Sequence, residues 1–382
     1  MPTLIPPQRI PWKRPRRAVP GRPAALISTL AVVGLLAGCS GLAEATTRTD
    51  DGDALTVPAP TDPLPTKVPA GTTLAIGDPT TQFALDLAGD QIDAPLDFDI
   101  EWANVSGGPQ SLEAFRAGSV DVSAVADIPP LQATWTGVPV HIIAALYREN
   151  WETSPIYQLA SAPGVTLTSL ADLKGKRIAY SPGQAQGALV LKALAAAGLT
   201  QDDVTLVELP STGDVYPTAL AAKEVDVAPL GGTAATRYLN QYAADGATAI
   251  DHHLRDDASH LYAPVEVLDD PAELAALTQY VAAWAKAKIW IADHPQEWKQ
   301  KYYIEDQGLS AEDAQVLIDD ATVPDIPADW ADGIEREQET IDLLSAEQDR
   351  APLDATELFD TRFAEVAYRA AQEQRAADGS DR

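Results

Sequence analysis

The chain has 382 residues, with 27 Lys+Arg against 56 Asp+Glu, a formal net charge of −29, and one cysteine. No basic stripe able to neutralise phosphates is visible, which excludes a nucleic-acid binder. A single cysteine excludes an internal disulfide and any cysteine-based metal cluster, and the acidity implies an exposed surface without identifying a ligand.

At the N-terminus, Arg9, Lys13, Arg14, Arg16, Arg17 and Arg22 precede an uncharged apolar run from Ala24 to Ala37. A basic segment followed by an apolar one too short to span a bilayer is the layout of a secretory signal. The run ends in "LLAGC", Leu35 to Cys39, which resembles the lipobox of bacterial lipoproteins. Cys39 is therefore expected to become the lipidated N-terminus after removal of 1–38, leaving 21 basic against 56 acidic residues, a net of −35. The Arg16–Arg17 pair lacks the flanking residues of twin-arginine export. From Ser40 to Gly71 the chain is rich in Thr, Asp, Pro and Ala without apolar periodicity, which predicts a flexible tether over 39–71.

Beyond it strand and helix patterns alternate. "TTLAIG" (Thr72–Gly77) reads as a strand, and Leu96–Val105 as a half-buried strand with Phe98, Ile100 and Trp102 on one side. A helix over Pro109–Ala117 stops at Gly118 before a strand over Val120–Val125. The scheme repeats with a helix from Pro129 to Gly137 and a strand over Val138–Leu146. It repeats again with strand Arg177–Tyr180, helix Gln184–Ala197, strand Val204–Leu209 after a Thr200 cap, and strand Val225–Ala228. Such units imply mostly parallel sheets flanked by helices, and a length of roughly 310 residues implies two lobes. The last hundred residues predict helices over Pro271–Ala292, Ser310–Ala321 and Pro352–Gln374, with Leu274, Leu277, Val281 and Trp284 facing a core. Residues 376–382 read as a disordered tail.

Four blocks carry a family resemblance: "GGPQSLEAFRAGSVDVSAVADIPPLQATWTGVPVHIIAA", "SLADLKGKRIAYSPGQAQGALVLKALAAAGLTQDDVTLVEL", "YPTALAAKEVDVAPL" and "AAWAKAKIWIADHPQEWKQKYY". Their order and spacing resemble the solute-binding proteins of bacterial ABC importers, in the aliphatic sulfonate, taurine and nitrate group. The resemblance implies an α/β, two-lobed type II periplasmic-binding-protein fold with a helical C-terminal portion. Lobe 1 would comprise 72–160 plus 262–375 and lobe 2 161–261, with crossovers near Ile156–Ala160 and Leu261–Val267. It implies a monomer without cofactor, anchored to the extracytoplasmic face by its N-terminal lipid and serving an ABC permease and ATPase. The chain departs from the family at Val227 to Gly232, where an aromatic-rich stretch is absent, and at "GDPTTQFAL".

Ligands of open parallel sheets lie beyond the carboxyl ends of strands, where loops enter helix N-termini carrying unpaired N–H groups and about half a positive charge. Four such loops offer donors to an oxyanion. The first holds Asp78, Thr80, Thr81 and Gln82; the second Ser106, Gly107, Gly108 and Gln110; the third Asp127 and Ile128; the fourth Ser181, Gly183 and Gln184. Tyr216 and Gly231 complete the set. Neutral dipoles of this kind suffice for an anion, so no Lys or Arg is required. Asp127 reads as the cap of the following helix, and Arg237 as a solvated helix position. Carboxylates at Asp78, Asp127 and Asp214 converging on the cleft would instead favour a cationic or heteroaromatic solute. A surface lipoprotein without a transport role is the third reading.

Catalysis finds little support. "AYSPGQ" lacks the G-x-S-x-G elbow around Ser181, and neither Gly183 nor Gly187 precedes the Lys-Ser or Lys-Thr of a P-loop. His252, His253 and His260 lack helical ligand spacing, so no metal is expected.

Overall fold

A computed structural model of the chain describes residues 63–105, 107–321 and 323–379. The expected signal segment, Cys39, most of the tether and Ser106 lie outside the described residues.

The first sheet contains β1 (Thr73–Gly77), β2 (Asp99–Trp102), β3 (Val122–Val125), β4 (Val140–Arg148), β10 (Ser259–Pro264) and β11 (Pro324–Asp325), in the order β11-β4-β10-β3-β1-β2. The second contains β5 (Tyr157–Ser161), β6 (Arg177–Tyr180), β7 (Thr205–Glu208), β8 (Val227–Gly231) and β9 (Ala249–Ile250), in the order β7-β6-β8-β5-β9. β1 to β3 pair in parallel, as do β6 to β8. The strands that carry the chain between sheets, β5 and β10, run antiparallel to their neighbours, so both sheets are mixed.

Each parallel strand leads into a helix: α1 (Pro79–Ala88), α2 (Gly108–Arg116), α3 (Ile128–Trp135), α4 (Ala185–Ala196), α5 (Val215–Ala221) and α6 (Gly232–Tyr242). The C-terminal portion adds α7 (Val265–Leu268), α8 (Pro271–Asp293), α9 (Pro295–Trp298), α10 (Ala311–Asp319), α11 (Ala331–Gln348) and α12 (Ala364–Asp378). Burial of Leu277, Val281 and Trp284 makes α8 the central strut of the first lobe, lying along α12. Each large apolar side chain so enclosed contributes about 1.5–3 kcal/mol.

Several expectations are corrected. The crossings fall at 149–156 and 251–258, because Tyr157–Ser161 already pairs in the second sheet and Ser259 already pairs in the first. Leu64 and Val68, expected in the tether, lie on the core of the first lobe. The helix expected from Pro352 begins only at Ala364, because Asp354 caps the turn Ala355–Glu357 and Asp360 caps Thr361–Phe363. Side-chain bonds to the nearby N–H groups of Thr356 and Arg362 stop each turn from continuing the previous one. Residues 376–378, expected in a disordered tail, complete α12, which ends on the left-handed Gly379.

Candidate functional site

β4 is buried along "VHIIAALY" and ends on Arg148, at the carboxyl end of the sheet where the chain leaves for the second lobe. The Arg148 N–H donates to Asp257 Oδ2 at 2.8 Å, and its Nη1 donates to the Ser154 carbonyl at 2.7 Å. No carboxylate forms an ion pair with its guanidinium within 4.0 Å among the described residues. Burial depresses the guanidinium pKa from its ordinary value, against the opposing fields of Asp256 and Asp257. A partly desolvated cation held by a neutral carbonyl rather than a carboxylate gains from an approaching anion.

Three cavities of about 330, 340 and 360 Å³ meet at Arg148 and Ile156. The first lies against the second sheet and carries Gln186, Ser211, Tyr216, Gly231 and Gly232 on its wall, with no carboxylate among the described residues. The Ser211 hydroxyl and the Tyr216 phenol are buried without a hydrogen-bond partner. Burial pushes the Tyr216 phenol up to about 12, and the neighbouring Ser181 hydroxyl opposes this without closing a hydrogen bond of good geometry. α6 opens at Gly231 without a side-chain cap, so its first N–H groups face the same wall. A Cβ at Gly231 would lie 2.9 Å from the Tyr157 ring and 3.0 Å from the Ile156 carbonyl, which requires glycine there.

The hinge segments that carry this site are laced by two carboxylates. Asp256 accepts from the N–H groups of Ile156 and Tyr157 at 3.1 and 2.8 Å and pairs with His252 at 3.2 Å. Asp257 holds Arg148 N–H and the Arg255 guanidinium, the latter at 2.6 and 2.7 Å.

The expected site residues divide. Tyr216 and Gly231 line the cavity against the second sheet, and Thr80 lines the third cavity. Asp78 is consumed structurally: its Oδ1 caps α1 through Thr81 N–H at 3.1 Å and its Oδ2 accepts from the Tyr280 hydroxyl at 3.1 Å. The Thr81 hydroxyl is buried and unpaired, and Gln82 is half-buried in α1. Gly107 caps α2 and Gly108 approaches Pro129 too closely for a side chain, while Gln110 is exposed. Asp127 caps α3 through Ile128 N–H at 3.0 Å and pairs with Lys192 at 3.6 Å; Ile128 itself is core. Ser181 is buried beside Tyr216, and Gln184 caps α4 by position without a side-chain bond. Gly183 (φ +78°) would place a Cβ 3.1 Å from Gln132 of α3, so this loop abuts the first lobe. Among the described residues no group of three or more His, Cys, Asp and Glu is arranged to hold a metal ion.

Arg148, Gln186 and Ser211 are absent from the expected set. The signal for Arg148 was present, since one cation ends a nine-residue strand otherwise free of charge, apart from its His141.

Two mixed sheets flanked by helices, joined by two crossings with cavities at their carboxyl ends, constitute the fold of the periplasmic binding proteins. Residues 93–298 match the family model described as "NMT1/THI5 like", just over half the chain, and the chain belongs to that family. It is 32% identical over 105 residues to a putative aliphatic sulfonates-binding protein of Escherichia coli (strain K12), a match to 28% of this chain that spans only 32% of the relative's length. It is similar in structure to the alkanesulfonate-binding protein SsuA from Xanthomonas axonopodis pv. citri bound to MOPS, with TM-score 0.60, 23% identity and coverage of 73% of this chain and 94% of that one. The periplasmic aliphatic sulphonate binding protein SsuA from Escherichia coli gives TM-score 0.60 at 21% identity, covering 77% and 92%. The desulfurization enzyme DSZB also has this fold, with TM-score 0.53 at 16% identity over 78% of this chain and 99% of that one.

Proposed function

We propose that the chain is the extracytoplasmic solute receptor of an ABC importer, capturing a small oxyanion such as an aliphatic sulfonate at Arg148. Closure of the lobes then presents the solute to a membrane permease and its ATPase. The observation that carries this reading is the half-buried guanidinium of Arg148, which donates to the Ser154 carbonyl, has no carboxylate within ion-pair distance among the described residues, and adjoins a cavity with unpaired Ser211 and Tyr216 hydroxyls. Charge-assisted hydrogen bonds from Arg148 and dipoles from α6 would hold the anion, while the site's placement between crossings couples binding to hinge motion. The sulfonate-binding names of the relatives agree with that chemistry.

Against a cationic solute, Asp78 and Asp127 are tied within the protein, Asp214 is exposed and Asp257 holds Arg255; the second cavity does bring Asp251 and Asp320 to the Arg148 side, with Asp251 accepting from Gln158. The likeness to the desulfurization enzyme, at 16% identity, is one of fold and carries no argument for the same chemistry here. Lipid attachment at Cys39 and location on the outer face of the cell membrane belong to the same proposal.

A thermal-shift screen of sulfonates, taurine, sulfate, nitrate, amines and pyrimidines tests it. Ligand at about 100 times its Kd adds about 2.7 kcal/mol of stability, so an oxyanion should raise the Tm clearly. Stabilisation by amines alone, or by no compound, would overturn the reading.

A further inference from the structure

The third cavity, about 360 Å³, extends from Arg148 away from the polar wall and is built mainly from rings and aliphatic side chains. Trp298 is buried and stacks on Tyr302 with centroids 4.3 Å apart and planes at 24°. Tyr303 stands edge-on to Trp298 at 6.4 Å and 79°. Both tyrosines sit on a π-helical segment, Lys299–Asp306, whose i→i+5 bonds widen the turn. That register puts residues four and five positions beyond Trp298 on one face, which an α-helix would not do equally. Ile318 of α10 closes the opposite side. Burial raises the Tyr303 phenol while the Arg148 charge opposes it, which marks the ring as a neighbour of the guanidinium.

A nitrate or a short alkanesulfonate held at Arg148 would leave this chamber to water. Its walls give that water few partners, and an apolar body displacing it gains free energy. Ring faces and edges further favour an arene over a flexible chain, which would lose rotamer freedom on ordering. Lys288 also lines the chamber, with its Nζ 5.6 Å from the Trp284 centroid and without a carboxylate partner among the described residues. Asp257 also lines the chamber, but its carboxylate is held by Arg255, so Arg148 and Lys288, neither ion-paired among the described residues, match an anionic guest with a bulky body.

We propose that the solute is an aryl oxyanion, its charged group at Arg148 and its ring in the Trp298–Tyr302–Tyr303 chamber. This rests on the oxyanion-receptor reading and adds to it the class of the body.

Calorimetric titration of the full chain with methanesulfonate, benzenesulfonate and naphthalene-2-sulfonate tests the assignment. The two arenes should bind at least about 10-fold tighter than methanesulfonate, the scale of one favourable ring contact plus buried apolar area. Tyr303→Ala should remove most of that advantage and leave methanesulfonate affinity within about two-fold. Because Tyr303→Ala also loosens the aromatic cluster, Ile318→Trp serves as a second variant: it fills the chamber and should exclude the arenes while sparing methanesulfonate. Methanesulfonate binding as tightly as the arenes, or arene affinity unaffected by both variants, overturns the aryl assignment but not the receptor. Failure of all three sulfonates to bind overturns both.

Discussion

Two pockets of nearly equal size flank the last residues of β4, and their charges are organised in opposite ways. The front cavity, about 330 Å³, has Arg148 on its wall with no carboxylate among the described residues. The rear pocket, about 320 Å³ between α4, α11 and the first sheet, contains Asp127, Lys192, Arg255, Asp257, Arg336 and Glu337. There most of the charges are engaged: Lys192 pairs with Asp127 at 3.6 Å, Arg255 pairs with Asp257 at 2.6 Å, and Arg336 lies 4.5 Å over the Tyr147 ring, while Glu337 keeps a buried carboxyl oxygen without a hydrogen-bond partner among the described residues. Burial and the charge of Asp127 push the Glu337 carboxyl well up, toward its neutral form. Charged residues alone therefore do not mark a binding site. The rear pocket reads as internal structure because two ion pairs and a Glu337 carboxyl pushed toward neutrality leave it little net charge, whereas Arg148 in front has no carboxylate within ion-pair distance among the described residues.

The largest expected effect lies on the rear side, where balance is sensitive to acid. His260 is fully buried between the edges of Tyr147 and Phe359, and burial lowers its pKa to about 4 from 6.5. The unfolded chain takes up this proton at a higher pH than the native one, so stability falls as pH drops from 6.5 toward about 4. That window is worth about 3 kcal/mol. Urea midpoints across it should show a steeper fall for the native chain than for His260→Gln; equal slopes would remove His260 as the cause.

Next comes the front cation. Arg148→Gln should weaken oxyanion binding by roughly 10- to 100-fold, the worth of one charge-assisted hydrogen bond of about 1.5–3 kcal/mol, with little loss of Tm. Gly231→Ala should cost about 1–3 kcal/mol through overlap with Tyr157 and Ile156, and should lower affinity by displacing the start of α6. The smallest effect belongs to Asp127→Ala. Loss of a cap should cost about 1 kcal/mol of stability, measured by calorimetry, and leave solute affinity within about two-fold. An affinity loss for Asp127→Ala as large as that for Arg148→Gln would break the distinction between the two pockets.

The α/β alternation was legible because strand and helix periods differ and because glycines punctuate them, as around Gly118 and Gly198. The stripe Leu274, Leu277, Val281 and Trp284 likewise announced α8. By contrast α11 was not legible. Its inward face combines Ile341 and Leu344 with Glu337 and Thr340, polar residues that line the rear pocket and interrupt the apolar stripe. The site was half legible for a related reason. Loops at strand ends could be found from pattern, which reached Thr80, Tyr216 and Gly231. Whether a polar group in such a loop is spent on its own helix, as Asp78 and Asp127 are, depends on partners distant in sequence. Arg148 was missed for the converse reason. Its importance comes from the missing ion-pair partner, which only the tertiary arrangement defines.

A crystal structure of the full chain grown with benzenesulfonate would test the central claim directly. The expected result is sulfonate oxygens about 2.8 Å from the Arg148 guanidinium nitrogens, with Ser211 or Tyr216 donating to the same group. A sulfonate seated instead beside Lys192 and Arg336 in the rear pocket, with Arg148 untouched, would contradict it.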